Sequence, residues 1–257
     1  MIAERGAFPV VLGLEARKLA RAMVTRVATL AGLVLVTVAT AGGYAAAMHA
    51  GDTDLGRKAA SMVTSPGWDG YTALGATSVS ATTLLAVGVV MSWSVGREFT
   101  DGTMVGLFAI PPTLRSIAAA KMVATLSWAA LLGLGEAALL TTAGLLLGLG
   151  AAGAAGCFAT LLLVSVVLGA GILPVMWAAT RWRGYLAGIG LTLAILVVTN
   201  LAAGFGLGSY VPWSIPIVWA SHQTEVSTPL LATPVMTAAI GAWVTLRSWD
   251  RLQLGAD

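Results

Sequence analysis

A single carboxyl group lies deep in a long apolar stretch of the sequence. Glu136 is flanked on both sides by leucine, alanine and glycine, well past the preceding charge at Lys121. An ionisable side chain inside a membrane is costly and often lines a substrate or ion pathway. We therefore predict Glu136 as a candidate pathway residue that meets a cationic substrate or carries a proton. A structural role is equally open, in which Glu136 bonds to Thr141, Thr142 or a partner subunit.

The other residues that could do chemistry are too sparse for a catalytic or metal site. His49 lies near Asp52 and Asp54, and His222 lies near Glu225, but a metal site needs a closer cluster of ligands. The sequence has no Gly-x-Ser-x-Gly nucleophile motif and no Gly-x-x-x-x-Gly-Lys-Ser/Thr phosphate-binding loop. We therefore predict no enzymatic activity and no metal or cofactor bound by this chain.

The composition requires lipid as the main solvent. Hydrophobic residues make up 58% of the 257 residues and charged residues only 10%, with a mean hydropathy of +0.88. A soluble domain carries about 25% charged residues, so no water-soluble fold of this length could bury the apolar surface. The basic residues form no concentrated basic face, which argues against nucleic-acid binding.

Six apolar stretches are long enough to cross a bilayer, which needs about 20 helical residues. Helices are required because backbone polar groups in lipid must be satisfied within their own segment. We predict an all-α membrane protein in which residues 1–26 precede a six-span domain at 27–257. The predicted spans are Val27–Ala47, Leu74–Val95, Ile117–Leu149, Ala154–Thr180, Tyr185–Gly204 and Leu230–Leu246.

The basic residues predict the orientation of this bundle. All but two of the 14 lysines and arginines fall before the first span, after the last, or in the second–third and fourth–fifth connections. Arg57 and Lys58 fall on the other side. Because cytoplasmic loops carry the excess of basic residues, we predict both termini in the cytoplasm. The protein would then be a multi-pass protein of the inner or plasma membrane.

The segment before the first span has an amphipathic pattern. Its apolar residues follow one helical stripe, and its basic residues fall outside that stripe. The stripe would face the acyl chains while the cations meet lipid phosphates. We predict an interfacial helix that uses Leu12, Leu19, Met23, Lys18 and Arg21; the alternative is a simple positively charged anchor.

The longest predicted cytoplasmic connection, residues 97–116, has an ordered pattern. The Asp-Gly-Thr sequence that ends at Thr103 is typical of a turn. Thr103 is predicted to cap a short helix that continues through Ile110 and ends at two prolines, and Thr113 is predicted to start the third span. The short helix would either dock a soluble partner or lie on the membrane surface.

This connection also carries a resemblance to a known family. The sequence Arg-Glu-Phe-x-Asp-Gly-Thr ending at Thr103 is followed by an apolar helix, by proline, and by Leu-Arg-Ser-Ile-Ala-Ala-Ala-Lys ending at Lys121. The pattern resembles permeases of the ABC-2 type, the membrane subunits of one class of ATP-driven exporters. The resemblance implies six spans with both ends inside, a connecting helix before the first span, and an outer segment with proline and tryptophan, here 205–229.

The resemblance also implies partners and roles. Residues 97–116 would be a coupling loop that packs onto separate ATP-binding-cassette ATPase subunits, which bind ATP and Mg²⁺, and a second permease, identical or related, would complete the pathway. The implied coupling residues are Arg97, Glu98, Phe99, Asp101, Gly102, Thr103, Leu107, Pro111 and Arg115. The candidates for an outer gate are Pro212, Trp213, Pro216 and Trp219.

The function expected from the sequence is therefore that of an exporter permease for an amphipathic or hydrophobic substrate such as a drug, an antimicrobial peptide or a lipid. A secondary transporter driven by an ion gradient is an alternative, although such proteins usually show internal repeats and several intramembrane ionisable residues. A non-transporting assembly subunit of the membrane is also open.

Overall fold

The computed structural model describes residues 2–51, 53–63, 65–221 and 227–253. Regular structure in these residues is helical throughout, and six helices are long and apolar enough to cross a membrane. The prediction of six spans is thus confirmed, although most of their ends differ from the predicted ones. The six spans are Met23–His49, Gly67–Thr100, Leu114–Leu146, Ala154–Arg181, Tyr185–Gly204 and Thr228–Asp250.

Within the described ranges, four further helices lie outside the spans. They are an N-terminal helix at Ile2–Arg21, a short helix at Asp54–Met62, a single turn at Met104–Leu107, and a helix at Ile215–Ala220. The N-terminal helix ends at Ala22, whose extended backbone (φ −68°, ψ 132°) separates it from the first span.

Three spans contain irregular turns. The first span is helical at Met23–Thr37 and Gly43–His49, joined by a π-helical turn at Val38–Gly42. The sixth begins with a 3₁₀ turn at Thr228–Leu231 before the helix Ala232–Asp250.

The fourth span, predicted as continuous, consists of Ala154–Gly171 and Pro174–Arg181. The interruption follows from Pro174, which lacks the N–H needed to continue the hydrogen-bond ladder.

The six spans alternate in direction, so the start of the first span and the end of the sixth lie at one end of the bundle. We call this end the terminal face and the opposite end the distal face. At the terminal face, Arg115 Nη1 lies 2.9 Å from Asp250 Oδ2. At the distal face, the Trp68 Nε1 donates to the carbonyl of Gly150 at 3.0 Å. These contacts join the start of the third span to the end of the sixth, and the start of the second to the third–fourth connection.

The second, third and fourth spans form the centre of the bundle. More than half of the residues in the most apolar 18-residue window of each are buried, whereas at most 28% are buried in the corresponding windows of the first, fifth and sixth spans. The second and fifth spans approach closely through glycine: a Cβ on Gly96 would lie 2.2 Å from the Tyr185 backbone nitrogen, and a Cβ on Gly88 would lie 2.4 Å from Thr192 Cγ2. Small residues permit this contact, as is usual in membrane bundles.

Candidate coupling and translocation sites

A buried ion cluster joins three helices at the terminal face. Lys121 Nζ lies 2.8 Å from Glu15 Oε2 and 2.8 Å from Glu98 Oε1. The lysine side chain is 3% exposed, and the two carboxylates are 8% and 6% exposed. Lys18 adds a second cation 2.7 Å from Glu15 Oε1, so that the formal charges balance. Buried charges are tolerated when they are paired in this way. We call Glu15, Lys18, Glu98 and Lys121 the Lys121 cluster.

The spacing of residues on each helix places this cluster. Glu15 shares the buried face of the N-terminal helix with Val11 and Leu19, four residues before and after it. That face packs on the third span. Lys121 lies about two turns after the start of this span. Glu98 is in the last turn of the second span. Through Lys121, the cluster therefore connects the N-terminal helix to the end of the second span, where the coupling loop begins.

The residues predicted to form an interfacial helix lie in two environments. Leu19 is buried against the protein and Leu12 is partly buried, whereas Met23, Lys18 and Arg21 are exposed. The buried stripe contains an acidic residue, Glu15, because its partner is a lysine of the bundle. The position of this helix in a membrane interface stays a prediction.

The coupling loop begins with a charged turn. Arg97 Nε lies 3.7 Å from Asp101 Oδ2, and its guanidinium stands 4.7 Å from the centre of the Trp93 ring. Gly102 has a φ of +70°, a left-handed conformation that favours glycine, so the Asp-Gly sequence forms a turn as predicted. The Thr103 hydroxyl donates to the Glu98 carboxylate.

The predicted helix from Thr103 through Ile110 is wrong in extent. Thr103 makes no side-chain cap, because its hydroxyl bonds to Glu98, and the helix is a single turn at Met104–Leu107. Gly106 weakens the helix, and Ile110 precedes a proline, which disfavours helical backbone there. Thr113 does start the third span as predicted: its Oγ1 accepts from the Ser116 backbone N–H at 3.2 Å.

The coupling residues implied by the family resemblance differ in their exposure. Asp101, Gly102, Thr103, Pro111 and Arg115 are exposed; Arg97, Phe99 and Leu107 are half-buried; and Glu98 is buried in the Lys121 cluster.

A depression of about 240 Å³ opens beside the loop at the terminal face. It is lined by three segments that are distant in sequence: the loop, the fourth–fifth connection and the carboxyl-terminal tail. Its residues include Phe99, Met104, Phe108, Arg183 and Leu252.

Glu136 lies at the centre of the bundle and is fully buried. Its Oε1 accepts from Thr82 Oγ1 at 3.0 Å, and its Oε2 accepts from Thr83 Oγ1 at 3.1 Å and Ser165 Oγ at 3.3 Å. Thr83 and Ser165 also bond to each other at 3.1 Å. The second, third and fourth spans thus meet at one carboxyl group. The partners considered from sequence, Thr141 and Thr142, are not the residues that the structure brings to it.

An apolar groove of about 500 Å³ passes in front of Glu136. It lies between the first and second spans, with Leu196 of the fifth span at its edge, and Thr82 is the one lining residue with a polar side chain. Gly32 also lines the groove, and a Cβ at this position would lie 3.6 Å from Glu136 Oε1. Two residues that line the groove, Gly32 and Thr82, therefore lie next to the buried carboxyl group.

The predicted outer segment turns back into the bundle. Pro216 is buried, while Pro212, Trp213 and Trp219 are partly buried. Trp213 Nε1 donates to the carbonyl of Gly171 at 2.9 Å, at the interruption of the fourth span. The gate role stays a prediction, and His222, Glu225 and Asp52 lie outside the described residues.

A family comparison matches this architecture. The model of the family described as "ABC-2 family transporter protein" matches residues 11–199, more than two thirds of the chain. The chain belongs to the ABC-2 family of transporter proteins. The match extends from the N-terminal helix through most of the fifth span and includes the coupling loop and Glu136. No curated protein matches the chain.

Membership of the ABC-2 family confirms the resemblance found in the sequence. The chain is a multi-pass membrane protein whose family provides the membrane subunits of ATP-binding-cassette transporters, and these subunits normally carry no catalysis. The roles of four residues were not predicted from the sequence: Glu15, Thr82, Thr83 and Ser165. An acidic residue on an otherwise apolar stripe was a usable signal for Glu15, whereas the three hydroxyls had none.

Proposed function

We propose that this chain is the permease subunit of an ATP-driven exporter and forms the translocation pathway for an amphipathic or hydrophobic substrate. The match of residues 11–199 to the ABC-2 family carries this proposal. The apolar groove supports it, because it offers an aliphatic surface open to the side of the bundle. A second permease, identical or related, would pair with this one.

The terminal face would be the cytoplasmic face, where separate ATPase subunits bind ATP and Mg²⁺. The exposed part of the coupling loop, including Asp101 and Arg115, would contact the ATPase. Force on the loop would pass to Glu98, through Lys121, and on to Glu15, because these side chains are in direct contact. Glu98 therefore acts behind the docking surface and transmits movement to the N-terminal helix.

Purification from native membranes tests the proposal. The tagged permease should retain a subunit that contains a phosphate-binding loop, and substrate should stimulate the ATPase activity of the complex. Asp101→Arg should reduce ATPase retention, since it reverses an exposed charge in the coupling loop. Asp54→Arg, an equal change in the first–second connection, should leave retention unchanged.

Equal retention by the two variants would contradict the docking role of the loop. Substrate movement driven by an ion gradient without any ATPase would instead support a secondary transporter.

A further inference from the structure

We propose that the groove in front of Glu136 binds an amphipathic cation, with the apolar body of the ligand in the groove and its charge facing the Glu136 carboxylate. The inference deepens the proposed transport function and rests on it for the biological role of the ligand. It depends on three observations: the hydrogen-bond partners of the carboxyl group, the composition of the groove, and the glycine between them.

The partners of Glu136 are neutral. In the described part of the chain its carboxylate accepts from three hydroxyl groups and takes part in no ion pair. The Lys121 cluster shows the contrasting arrangement, in which each buried carboxylate contacts a cation. A carboxylate accepts about four hydrogen bonds when ionised, and hydroxyls leave its negative charge uncompensated. A carboxylate deep in a membrane bundle therefore favours a cation nearby.

The groove has the size and composition for the rest of such a ligand. Its volume of about 500 Å³ is in the range of sites for small organic molecules, about 300–1,000 Å³. Aliphatic side chains of the first and second spans form its walls, and its polar group, Thr82, is hydrogen-bonded to Glu136. The single polar position of the groove is thus the point closest to the negative charge.

Gly32 lies between this part of the groove and the buried carboxyl group. A Cβ at Gly32 would be in ordinary van der Waals contact with Glu136 Oε1 and with Leu132 Cδ1, both at 3.6 Å. An alanine therefore fits without a clash, but its methyl group would cover the carboxyl group from the groove side. Gly32→Ala thus keeps the charge and adds a methyl group between the carboxyl group and the groove.

The test measures binding of two ions of similar size and opposite charge, tetraphenylphosphonium and tetraphenylborate, to the purified permease in lipid nanodiscs. The intact chain should bind the phosphonium saturably and at least about tenfold more tightly than the borate. Glu136→Gln should weaken phosphonium binding by about tenfold or more and should not weaken borate binding, because the amide keeps hydrogen-bonding capacity and loses the charge that attracts one ion and repels the other. Asp69→Asn, which removes an exposed carboxylate from the same bundle, is the matched control and should change neither.

The glycine variants supply a second line of evidence that does not depend on Glu136→Gln folding. Gly32→Ala should weaken phosphonium binding several-fold, whereas Gly42→Ala in the same span, where a Cβ meets nothing within 4 Å, should not. Ala31→Phe should weaken both ions, because it fills the groove.

Absence of saturable phosphonium binding by the unaltered chain, or equal binding of the two ions, would overturn the proposal. An unchanged phosphonium affinity in Glu136→Gln would also overturn it. Because the measurement uses the permease without ATP or an ATPase, its failure is distinct from a failure of ATPase coupling.

Discussion

Lys121 is the residue on which the terminal face depends most strongly. It contacts two carboxylates that come from different helices, and all three side chains are nearly fully buried. A buried pair contributes little beyond its desolvation cost, but the loss of one partner leaves a charge that neither water nor protein compensates. The same residue would also transmit movement from the coupling loop, so stability and coupling depend on one ammonium group.

Lys121→Met should lower the free energy of unfolding by about 3–5 kcal/mol, because Glu98 and Glu15 would lose their shared buried cation. Unfolding in mixed micelles, followed by circular dichroism, measures the change. Arg115→Met is the matched control: its pair with Asp250 is exposed, and such pairs contribute about 0–1 kcal/mol.

Neutralising both carboxylates in the Lys121→Met background, with Glu15→Gln and Glu98→Gln, should recover part of the lost stability. A loss in Lys121→Met no larger than in Arg115→Met would show that the cluster is not stabilised by charge compensation.

The roles of some residues could be predicted from the sequence, and those of others could not. Glu136 could be singled out from the sequence, since an acid in an apolar run is conspicuous. Its partners could not, because Thr82 and Ser165 are distant in sequence and serine and threonine are common in spans, where they usually bond to their own helix. The family resemblance implied that Glu98 belongs to the docking surface, and only the packing of the N-terminal helix shows that it is buried.

At the scale of elements, the fourth span and the segment after the fifth depend on each other. Pro174 prevents a continuous ladder, and Trp213 Nε1 donates to the carbonyl of Gly171 next to the interruption. A carbonyl without a partner in a membrane bundle is costly, so a side chain from elsewhere in the chain must satisfy it. The re-entrant helix Ile215–Ala220 is thereby fixed to the middle of the bundle rather than to its rim.

Trp213→Phe should lower the free energy of unfolding by about 0.6 kcal/mol and by no more than about 1.7 kcal/mol, the average and the maximum measured for hydrogen bonds between membrane helices. The phenyl ring keeps most of the apolar contact and removes the donor, so the loss reports the bond to Gly171. Trp182→Phe, at an exposed tryptophan, should change stability little when measured in the same unfolding titration. Equal effects of the two variants would contradict the role given to the indole N–H.

The second and fifth spans pack so closely that a methyl group at their contact should be destabilising. Gly96→Ala should lower the free energy of unfolding by about 1–3 kcal/mol, because its Cβ would overlap the Tyr185 backbone, which cannot rotate away. Gly190→Ala in the fifth span meets nothing within 4 Å and should be neutral. Thermal aggregation in detergent, compared between the two variants, measures the difference; a neutral Gly96→Ala would contradict the close approach of these spans.

At the scale of the whole molecule, the number and the order of the spans could be predicted from the sequence, whereas their arrangement in the bundle could not. Hydropathy located six helices because each must present about 20 apolar residues to lipid. It could not show that the first, fifth and sixth spans are peripheral, since buried and lipid-facing residues are equally apolar. Pro174 lies within the fourth span, which was nevertheless predicted as continuous, and the partner that satisfies its interruption could not be predicted from the sequence either.

The orientation of the molecule can be tested by thiol labelling of intact cells. Ser61→Cys, exposed in the first–second connection, should react with a membrane-impermeant maleimide, whereas Ala109→Cys in the coupling loop should react only after permeabilisation. The native Cys157 is buried and should contribute little background. Labelling of Ala109→Cys in intact cells would show that the orientation is the opposite of the predicted one. ATPase subunits could then not dock at this face.

The groove occupies only part of the first span. Its lining runs from Met23 to Leu35, about 18 Å of helix in a hydrocarbon layer of about 30 Å. Beyond the π-helical turn, Tyr44 packs edge-on against Tyr71, and a Cβ on Gly43 would touch Leu74 at 3.6 Å, so the first and second spans are closed there. A lipid-soluble molecule could therefore enter sideways from the leaflet next to the terminal face, and would find no matching entrance between these two spans from the opposite leaflet.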